Sequence, residues 1–337
     1  MGENITALEQ ESANGLNINA CFVICEYIEE PPIILVLDQN KTNALNWLLT
    51  KKVNLNLKDN PAIVMAAARC SAETIQLLLK HGAKINAKDN VGKTAMGAAL
   101  YSNRVDLIPI LIAHGYNILA DGTSLRQAVS HRQYKAIQLF LASGINVNFH
   151  VKDMVYPYNT SPVGVAAQNN DIELVKLLVK HGADVTIKNS YGERPYNYAV
   201  EHNNSEMMQF IQSLEPEQWH NDEQKVTALK AYKLPPELIS LLRSNDRTFK
   251  IEDPESGIKF ITFNSLLNAK EVTWQKHQFL DLLSEVDNYG NGGGVLVWYP
   301  KKKCLASADY EHGEFKVLGS WKDFIANPSA CIHQIFS

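Results

Sequence analysis

A cysteine, an aspartate and a histidine lie close together near the C-terminus, as Cys304, Asp309 and His312. A cysteine becomes a nucleophile when a nearby imidazolium lowers the pKa of its thiol, and a carboxylate can hold that imidazole in place. A glycine triplet at residues 292–294 precedes them, and glycine-rich loops can cradle phosphate groups. The segment therefore raises two chemical hypotheses, a cysteine nucleophile and a nucleotide site.

Both patterns lack a required part. A phosphate loop needs Lys-Ser or Lys-Thr after its glycines and leads into a helix, whereas residues 292–294 lead into the strand-like run VLVWYP. Cys304 and His312 are eight residues apart across a predicted turn, and the arrangement matches no protease motif. The VLVWYP strand is apolar on both faces, which predicts a covered central strand. The lysines at 301–303 are predicted to form a solvated turn, with a contact to an acidic partner as the alternative.

Composition limits the classes of protein to which the chain can belong. It has 337 residues, 45% of them hydrophobic, and a net charge of −4. These values predict two domains and argue against a nucleic-acid partner. Five cysteines, an odd number, argue against a disulfide framework. No apolar run reaches the roughly 20 residues of a membrane span, and the polar N-terminus MGENITALEQ is not a secretory signal. We therefore expect a cytoplasmic protein.

A sequence repeat runs through residues 31–214. Gly82, Gly115, Gly144 and Gly182 each follow an apolar segment, and they are separated by 33, 29 and 38 residues. A helix of small residues precedes each of them, as in PAIVMAAARC and SPVGVAAQNN. The same register extends outward on both sides, which predicts six helix–turn–helix units. Residues 1–30 are predicted to form an N-terminal cap or a degenerate repeat.

The repeat predicts an α-solenoid, in which each unit buries the apolar face of its neighbour. Ala66, Ala99 and Ala166 fall where helices must approach closely. The unit SPVGVAAQNNDIELVKLLVKHGADVTIKN, residues 161–189, is similar to the ankyrin consensus. This resemblance implies an array that binds protein partners through hairpin loops, called fingers below, and through a concave helical face.

The repeat register ends after residue 214, which predicts a second domain. Residues 215–233 are predicted to form a linker helix, and residues 234–337 an α+β domain with an antiparallel sheet. We expect a fragment that starts near Lys225 to fold alone. Helices are predicted over PPELISLLRSN, residues 265–287 and SWKDFIANPSACIHQIF, and strands over TFKIED, IKFITFN, GGVLVWYPK, CLASADY and EFKVL.

The second domain resembles the SUKH superfamily. The resemblance lies in the opening LPPELISLLRSNDRTFKI, a helix that carries Trp274, the glycine-rich GNGGGVLVWYP and the closing LGSWKDFIANP, over about residues 234–330. The stretch SNDRTF departs from the pattern that follows the first helix in that family. The resemblance implies a mostly non-enzymatic binding domain, as in bacterial immunity proteins that neutralise toxins. Ankyrin arrays occur in the same setting and in effectors of intracellular bacteria.

Two hypotheses about function follow from these observations. In the first, the chain is a non-enzymatic interaction protein, an immunity factor or an effector adaptor. Its array binds a protein, and its SUKH-like domain gives a second binding surface. In the second, the C-terminal domain is an effector enzyme with cysteine-dependent chemistry, and the repeats select the substrate. A secreted bacterial effector would act in the host cell cytosol. No cofactor or metal is predicted in either case.

The partner surface is predicted to centre on the finger that an insertion lengthens, NFHVKDMVYPYNT at residues 148–160. Insertions in repeat arrays map to loops, often on the binding face, and exposed Met and Tyr side chains are frequent at interfaces. If this finger is structural instead, the concave helix face is the alternative. The predicted binding residues are Met154, Tyr156, Tyr158 and Tyr191 at the fingers, and Tyr101 and Arg126 on the concave face.

Overall fold

The computed structural model of the chain describes residues 5–25, 28–153, 155–252, 255–289, 294–310 and 312–336. The chain forms two compact units, Met1–Phe149 and His150–Ser337. This division differs from the boundary that the end of the repeat register predicts, near residue 215. Met154 and residues 292–293 lie outside the described residues, so the predictions made for them stay predictions.

The first unit begins with a helix and a small hairpin, and helix pairs follow. The hairpin is antiparallel. The elements are α1 (Ile5–Ala13), β1 (Phe22–Cys25), β2 (Ile28–Glu30), α2 (Pro32–Asp38), α3 (Thr42–Thr50), α4 (Ala62–Arg69), α5 (Ala72–Lys80), α6 (Ala95–Tyr101), α7 (Leu107–Ala113), α8 (Thr123–Ser130) and α9 (Tyr134–Ala142), with a 3-10 helix at Ile118–Ala120. The first helix of each pair packs on the first helix of the next, α2 on α4, α4 on α6 and α6 on α8.

Small side chains and turn residues explain why these helices stack. Ala66 in α4 and Ala99 in α6 are fully buried, and their size lets the helices approach closely. Gly82 follows α5 with a φ of 95°, which residues with a Cβ rarely adopt. Asn56 joins successive fingers, because its Nδ2 atom donates to the Gly82 carbonyl oxygen at 2.9 Å while its Oδ1 accepts from the Lys84 N–H at 2.8 Å. The predicted helical array is confirmed.

The second unit continues with helix pairs and then changes character. The pairs are α10 (Pro162–Gln168) with α11 (Ile172–Lys180) and α12 (Pro195–Glu201) with α13 (Ser205–Gln212), and α10 packs beside α12. A 3-10 helix (Glu217–Trp219), α14 (Asp222–Ala228), a second 3-10 helix (Leu229–Tyr232) and α15 (Pro236–Arg243) follow. The predicted linker helix is therefore a short α-helix between two 3-10 turns.

The rest of the second unit is rich in antiparallel strands, as predicted. Two helices follow these strands. The elements are β3 (Thr248–Lys250), β4 (Phe260–Phe263), β5 (Lys270–Trp274), β6 (His277–Asp281), β7 (Leu283–Val286), β8 (Val297–Tyr299), β9 (Cys304–Asp309), β10 (Glu314–Gly319), α16 (Trp321–Ala326) and α17 (Pro328–Phe336). The described strands of this unit form a five-stranded sheet, in the order β10-β9-β8-β6-β5, and a three-stranded sheet, in the order β3-β4-β7.

The five-stranded sheet has two apolar faces. One face, which includes Leu280 and Trp298, joins the main core with Trp321 and Phe324 of α16. The opposite face carries a second cluster that includes Phe279, Val297 and Tyr299. Strand β8 is buried along its whole length, so the prediction of a covered central strand is confirmed.

The prediction of a helix over residues 265–287 is wrong, because this segment contains β5, β6 and β7. Gln275 and Lys276 have φ angles of 46° and 65°, which are the two positive values that a tight hairpin turn requires. Val272 pairs with Phe279 across that hairpin. The predicted final helix is also two helices, α16 and α17, because proline at 328 lacks the N–H that a continuous helix would need.

Candidate protein-interaction surfaces

Tyr101 lies at the C-terminal end of α6 and is 76% exposed. The ammonium group of Lys93 lies 5.5 Å from the centre of its ring, at a distance where cation–π attraction holds the ring in place. Val91, in the finger that precedes α6, is also exposed. Val91, Lys93 and Tyr101 are called the Tyr101 surface below. Val91 and Tyr101 offer exposed apolar area, and Lys93 adds a positive charge.

Arg126 is not part of any exposed surface. Its side chain is fully buried in α8, and its guanidinium carbon lies 4.8 Å from the centre of the Phe149 ring. The space around it is tight, because a Cβ on Gly122 would lie 1.8 Å from the Phe149 ring. The prediction that Arg126 contacts a partner on the helix face is therefore not supported by its position, and Tyr101 remains as the exposed residue of that pair.

The lengthened finger is built by a local turn. Asp153 Oδ1 accepts hydrogen bonds from the backbone N–H groups of Val155 and Tyr156 at 2.9 and 2.7 Å. Tyr156 and Tyr158 are half-buried, whereas Val151 and Val155 are exposed. The carbonyl oxygen of Tyr158 accepts from the N–H of Ser190 at 2.8 Å, so the finger is paired with the next one.

Aromatic contacts connect this finger to the five-stranded sheet. The ring centres of Tyr158 and Tyr191 are 4.4 Å apart, those of Tyr191 and Tyr310 are 5.5 Å apart, and Tyr310 lies 5.7 Å from Trp274 in β5. Gly192 approaches the sheet closely, because a Cβ there would lie 2.5 Å from the Glu271 carbonyl oxygen. Tyr158 and Tyr191 therefore pack inside the second unit. This packing favours the alternative in which the finger has a structural role over the one in which it binds a partner.

A buried cluster of charges lies beside these aromatic rings. Lys270 Nζ is 3.0 Å from Glu193 Oε1 and 3.9 Å from Asp281 Oδ2. Asp281 is completely buried, and burial raises its pKa to about 6 even though the charge of Lys270 acts to lower it. Burial alone would lower the pKa of Lys270, but the carboxylates of Asp281 and Glu193 outweigh it and raise that pKa. This cluster fastens the last repeat finger to β5 and β6.

A second buried charge pair fixes the segment after the repeats. Arg194 Nε donates to Glu215 Oε1 at 2.6 Å, and Nε2 of His220 lies 2.7 Å from the other oxygen of the same carboxylate. The Arg194 guanidinium also lies 4.9 Å from the centre of the Trp219 ring. Sequence reasoning missed both clusters. The signal available was the adjacent pair Glu193 and Arg194, two opposite charges directly before α12, where an earlier repeat has Lys93 and Thr94.

The Cys304, Asp309 and His312 side chains do not form a nucleophile site. Cys304 and Asp309 are the two ends of β9, so their Cα atoms are about 16 Å apart at the usual rise per residue. Nδ1 of His312 lies 2.8 Å from Oδ2 of Asp309, at the exposed end. Burial raises the pKa of Cys304, against the opposing effect of Lys302, and this disfavours the reactive thiolate.

The described residues contain no group of three or more His, Cys, Asp or Glu side chains arranged to hold a metal ion. Across those same ranges of the chain, no helix combines the length and the apolar character needed to cross a bilayer.

Comparison with known families agrees with the helical array. The family model described as "Ankyrin repeats (3 copies)" matches residues 33–122 and 125–222, more than half of the chain. The chain therefore belongs to the ankyrin-repeat family. Ankyrin repeats imply protein–protein interaction, and membership of the family supports this general function.

Relatives of the chain are diverse. An ankyrin repeat protein of Acanthamoeba polyphaga mimivirus is 24% identical over 168 residues, covering 46% of this chain and 21% of the relative. Potassium channel AKT2/3 of Arabidopsis thaliana is 26% identical over 168 residues, covering 48% and 20% respectively. The aligned segment thus spans about a fifth of the length of either relative.

Two solved structures that are similar to the chain have low sequence identity to it. The human ASB11 ankyrin repeat domain is 21% identical with a TM-score of 0.46, covering 55% of this chain and 84% of that one. A chain in the complex of the predatory endopeptidase Bd0816 from Bdellovibrio bacteriovorus with immunity protein Bd3460 is also 21% identical with a TM-score of 0.46, covering 55% and 98%.

Proposed function

We propose that the chain is a non-enzymatic interaction protein whose ankyrin array binds a protein partner through the Tyr101 surface. The observation that carries the proposal is the exposure of Tyr101, 76%, on a first helix of the array. Tyrosine is enriched among residues that dominate binding energy, because its large rigid ring loses little conformational entropy on contact. Lys93 already orients that ring. A protein, not a nucleic acid, is the proposed partner, since the net charge is −4.

The C-terminal domain supplies a second binding surface in this proposal. Its resemblance to the SUKH superfamily rests on α15, β8 and α16, which coincide with the LPPELISLLRSN, GVLVWYP and SWKDFIANP segments. The helix expected to carry Trp274 is instead the hairpin of β5 and β6, so the resemblance rests on these three elements. On this basis we propose an immunity factor or an effector adaptor that acts in the cytoplasm, or in the host cell cytosol if it is secreted.

The competing hypothesis, an enzyme with cysteine-dependent chemistry, has less support. It requires a base beside Cys304, and the histidine proposed for that role lies beyond the other end of β9. The raised pKa of Cys304 also opposes it.

Capture of partners by the full-length chain tests the proposal. Wild type, Tyr101→Ser and Tyr134→Ser are immobilised, and the proteins retained from one lysate are quantified by mass spectrometry. Tyr134 is the matched control, because it is also an exposed tyrosine but lies at the start of α9, the second helix of its pair, whereas Tyr101 lies on a first helix. We expect Tyr101→Ser to reduce retention of specific partners roughly thirtyfold, the effect of a hot spot worth about 2 kcal/mol. Equal retention by all three chains would refute the role of the Tyr101 surface.

A further inference from the structure

Strand β10 lies at one edge of the five-stranded sheet. Among the described strands it pairs with β9 alone. The free side of an edge strand presents unpaired backbone N–H and C=O groups, which can template an additional strand. With six residues, β10 is as long as a typical strand, so it offers enough backbone to hold an extended peptide.

Two apolar side chains of β10 are open to solvent on one face. Phe315 is 39% exposed and Val317 is 41% exposed, and residues two apart in a strand point to the same side. The ring of Phe315 lies 5.5 Å from that of Phe279 and 5.4 Å from that of Tyr299. It is therefore held by the aromatic cluster of the sheet. Edge strands usually carry charge or proline against unwanted pairing, and this face of β10 carries neither. The charged residues of β10, Glu314 and Lys316, alternate with these two on the other face, where Lys316 Nζ donates to the carbonyl oxygen of Gln334 in α17.

Three lysines lie in a turn at the end of the sheet where β10 ends, one strand in from the free edge. Lys301, Lys302 and Lys303 form the turn between β8 and β9, and the second residue of β9, Leu305, pairs with Gly319 at the end of β10. All three side chains are exposed. In the part of the chain that the structure describes, none of them forms an ion pair with a carboxylate. A ligand that reaches this turn from β10 meets three uncompensated positive charges.

We propose that β10 binds an extended acidic segment of a partner protein, which adds a strand to the sheet. Backbone hydrogen bonds to the free edge provide affinity, apolar side chains at alternate positions cover Phe315 and Val317, and carboxylates face the lysine turn. This names the ligand class of the second binding surface and so rests on the proposed function. A second copy of this chain fits less well, because its own β10 offers one carboxylate, Glu314, against three lysines.

A defined peptide tests the proposal on the full chain. The probe is a fluorescein-labelled peptide in which glutamate and valine alternate (EVEVEVE), measured by anisotropy, with the basic analogue KVKVKVK as the control ligand. Val317→Lys alters the apolar face. A lysine-turn variant combines Lys301→Gln, Lys302→Gln and Lys303→Asn, since Lys303 has a φ of 51° that asparagine tolerates. The matched control combines Lys230→Gln, Lys233→Asn and Lys259→Gln, because Lys233 has a similar φ of 54°.

We expect EVEVEVE to bind in a salt-dependent way and to slow the hydrogen exchange of amides in residues 314–318. Val317→Lys and the lysine-turn variant should each weaken binding by roughly tenfold or more, while the matched control binds as wild type does. The proposal is overturned if EVEVEVE does not bind, if hydrogen exchange at residues 314–318 is unchanged, or if the matched control weakens binding as much as the lysine-turn variant does. So would a concentration-dependent dimer that Val317→Lys abolishes, because a second copy would then occupy the edge. Neither the probe nor these variants involve Tyr101, so failure here leaves the capture experiment to decide the proposed function.

Discussion

The Nζ atom of Lys270 in β5 lies 3.0 Å from Oε1 of Glu193, and both side chains are almost completely buried. Glu193 belongs to the finger before α12, so this contact joins a repeat to the sheet within the second unit. The same carboxylate accepts a hydrogen bond from the hydroxyl of Tyr198 at 3.1 Å. A buried pair of this kind has a high desolvation cost, and its partners must therefore stay together for the unit to remain folded.

Replacing Glu193 with alanine should destabilise the second unit by about 3–5 kcal/mol, because it leaves the charge of Lys270 buried with weaker compensation. Urea denaturation of the full-length chain, followed by tryptophan fluorescence, measures the change. Lys176 and Glu206 provide the control, since they form an exposed pair at 2.8 Å. Glu206→Ala should cost less than about 1 kcal/mol. Equal losses in the two variants would contradict a special role for the buried pair.

A fragment of residues 225–337 should be unstable, although its length alone suggests that it folds. It keeps Lys270 and Asp281 but lacks Glu193, and it loses Tyr191, which packs on Tyr310. A fragment of residues 150–337 retains all of these contacts and coincides with the second compact unit. We expect cooperative thermal unfolding for the longer fragment only. A sharp, reversible transition in the shorter one would show that the sheet needs no repeat.

The stability of the second unit should fall as pH rises from about 4 to about 6. Burial raises the pKa of Asp281 to about 6, above the value of about 4 for an exposed aspartate. The folded state therefore binds the proton more tightly than the unfolded state, and this contribution is complete below pH 4 and lost as pH passes 6. Lys270 stays charged throughout, since its pKa is raised.

Asp281→Asn tests this dependence, because it removes the titrating group and retains an acceptor for the Gly294 N–H. Denaturation of wild type and variant at several pH values between 4 and 7 should give a shallower slope for the variant. Identical slopes would mean that another group is responsible.

The helical array could be predicted from the sequence because each repeat carries local signals. Gly82 and its equivalents need a positive φ, and Ala66 and Ala99 need close packing, so residue type alone marks their positions. The hairpin at Gln275 and Lys276 could not be predicted in this way. Neither residue is typical of such a turn, and the leucines that follow have a spacing that also suits a helix.

The residues predicted for the partner surface also show that burial could be predicted from the sequence only in part. Tyr101 was predicted as exposed and is exposed, whereas Arg126 was predicted at the surface and is buried. A long charged side chain at a helix position is normally solvated, and the sequence carries no sign that Phe149 would cover this one. Contacts that depend on pairs distant in sequence, such as Glu193 with Lys270, leave no local pattern at all.

Tyr158→Ser should lower the melting temperature, with a loss of about 1–3 kcal/mol, because the ring packs at a tilt against Tyr191 with centres 4.4 Å apart. Tyr101→Ser is the control, since its exposed ring should contribute less than about 0.5 kcal/mol. Differential scanning calorimetry of both full-length variants distinguishes the roles. If Tyr158→Ser leaves the melting temperature unchanged, the finger is free to serve a partner, as its sequence first suggested.

The cysteines should differ in their rates of alkylation at neutral pH. Burial raises the pKa of Cys304, and it raises those of Cys70 and Cys331 to about 11. A thiol reacts as the thiolate, so all three should react slowly with iodoacetamide in the native chain and rapidly in urea. Cys21 is the internal control, since its side chain is exposed. Peptide mass spectrometry after timed quenching assigns each rate to its residue. Cys304 labelled as fast as Cys21 in the folded protein would mean that its thiolate is stabilised, and the hypothesis of cysteine chemistry would regain its basis.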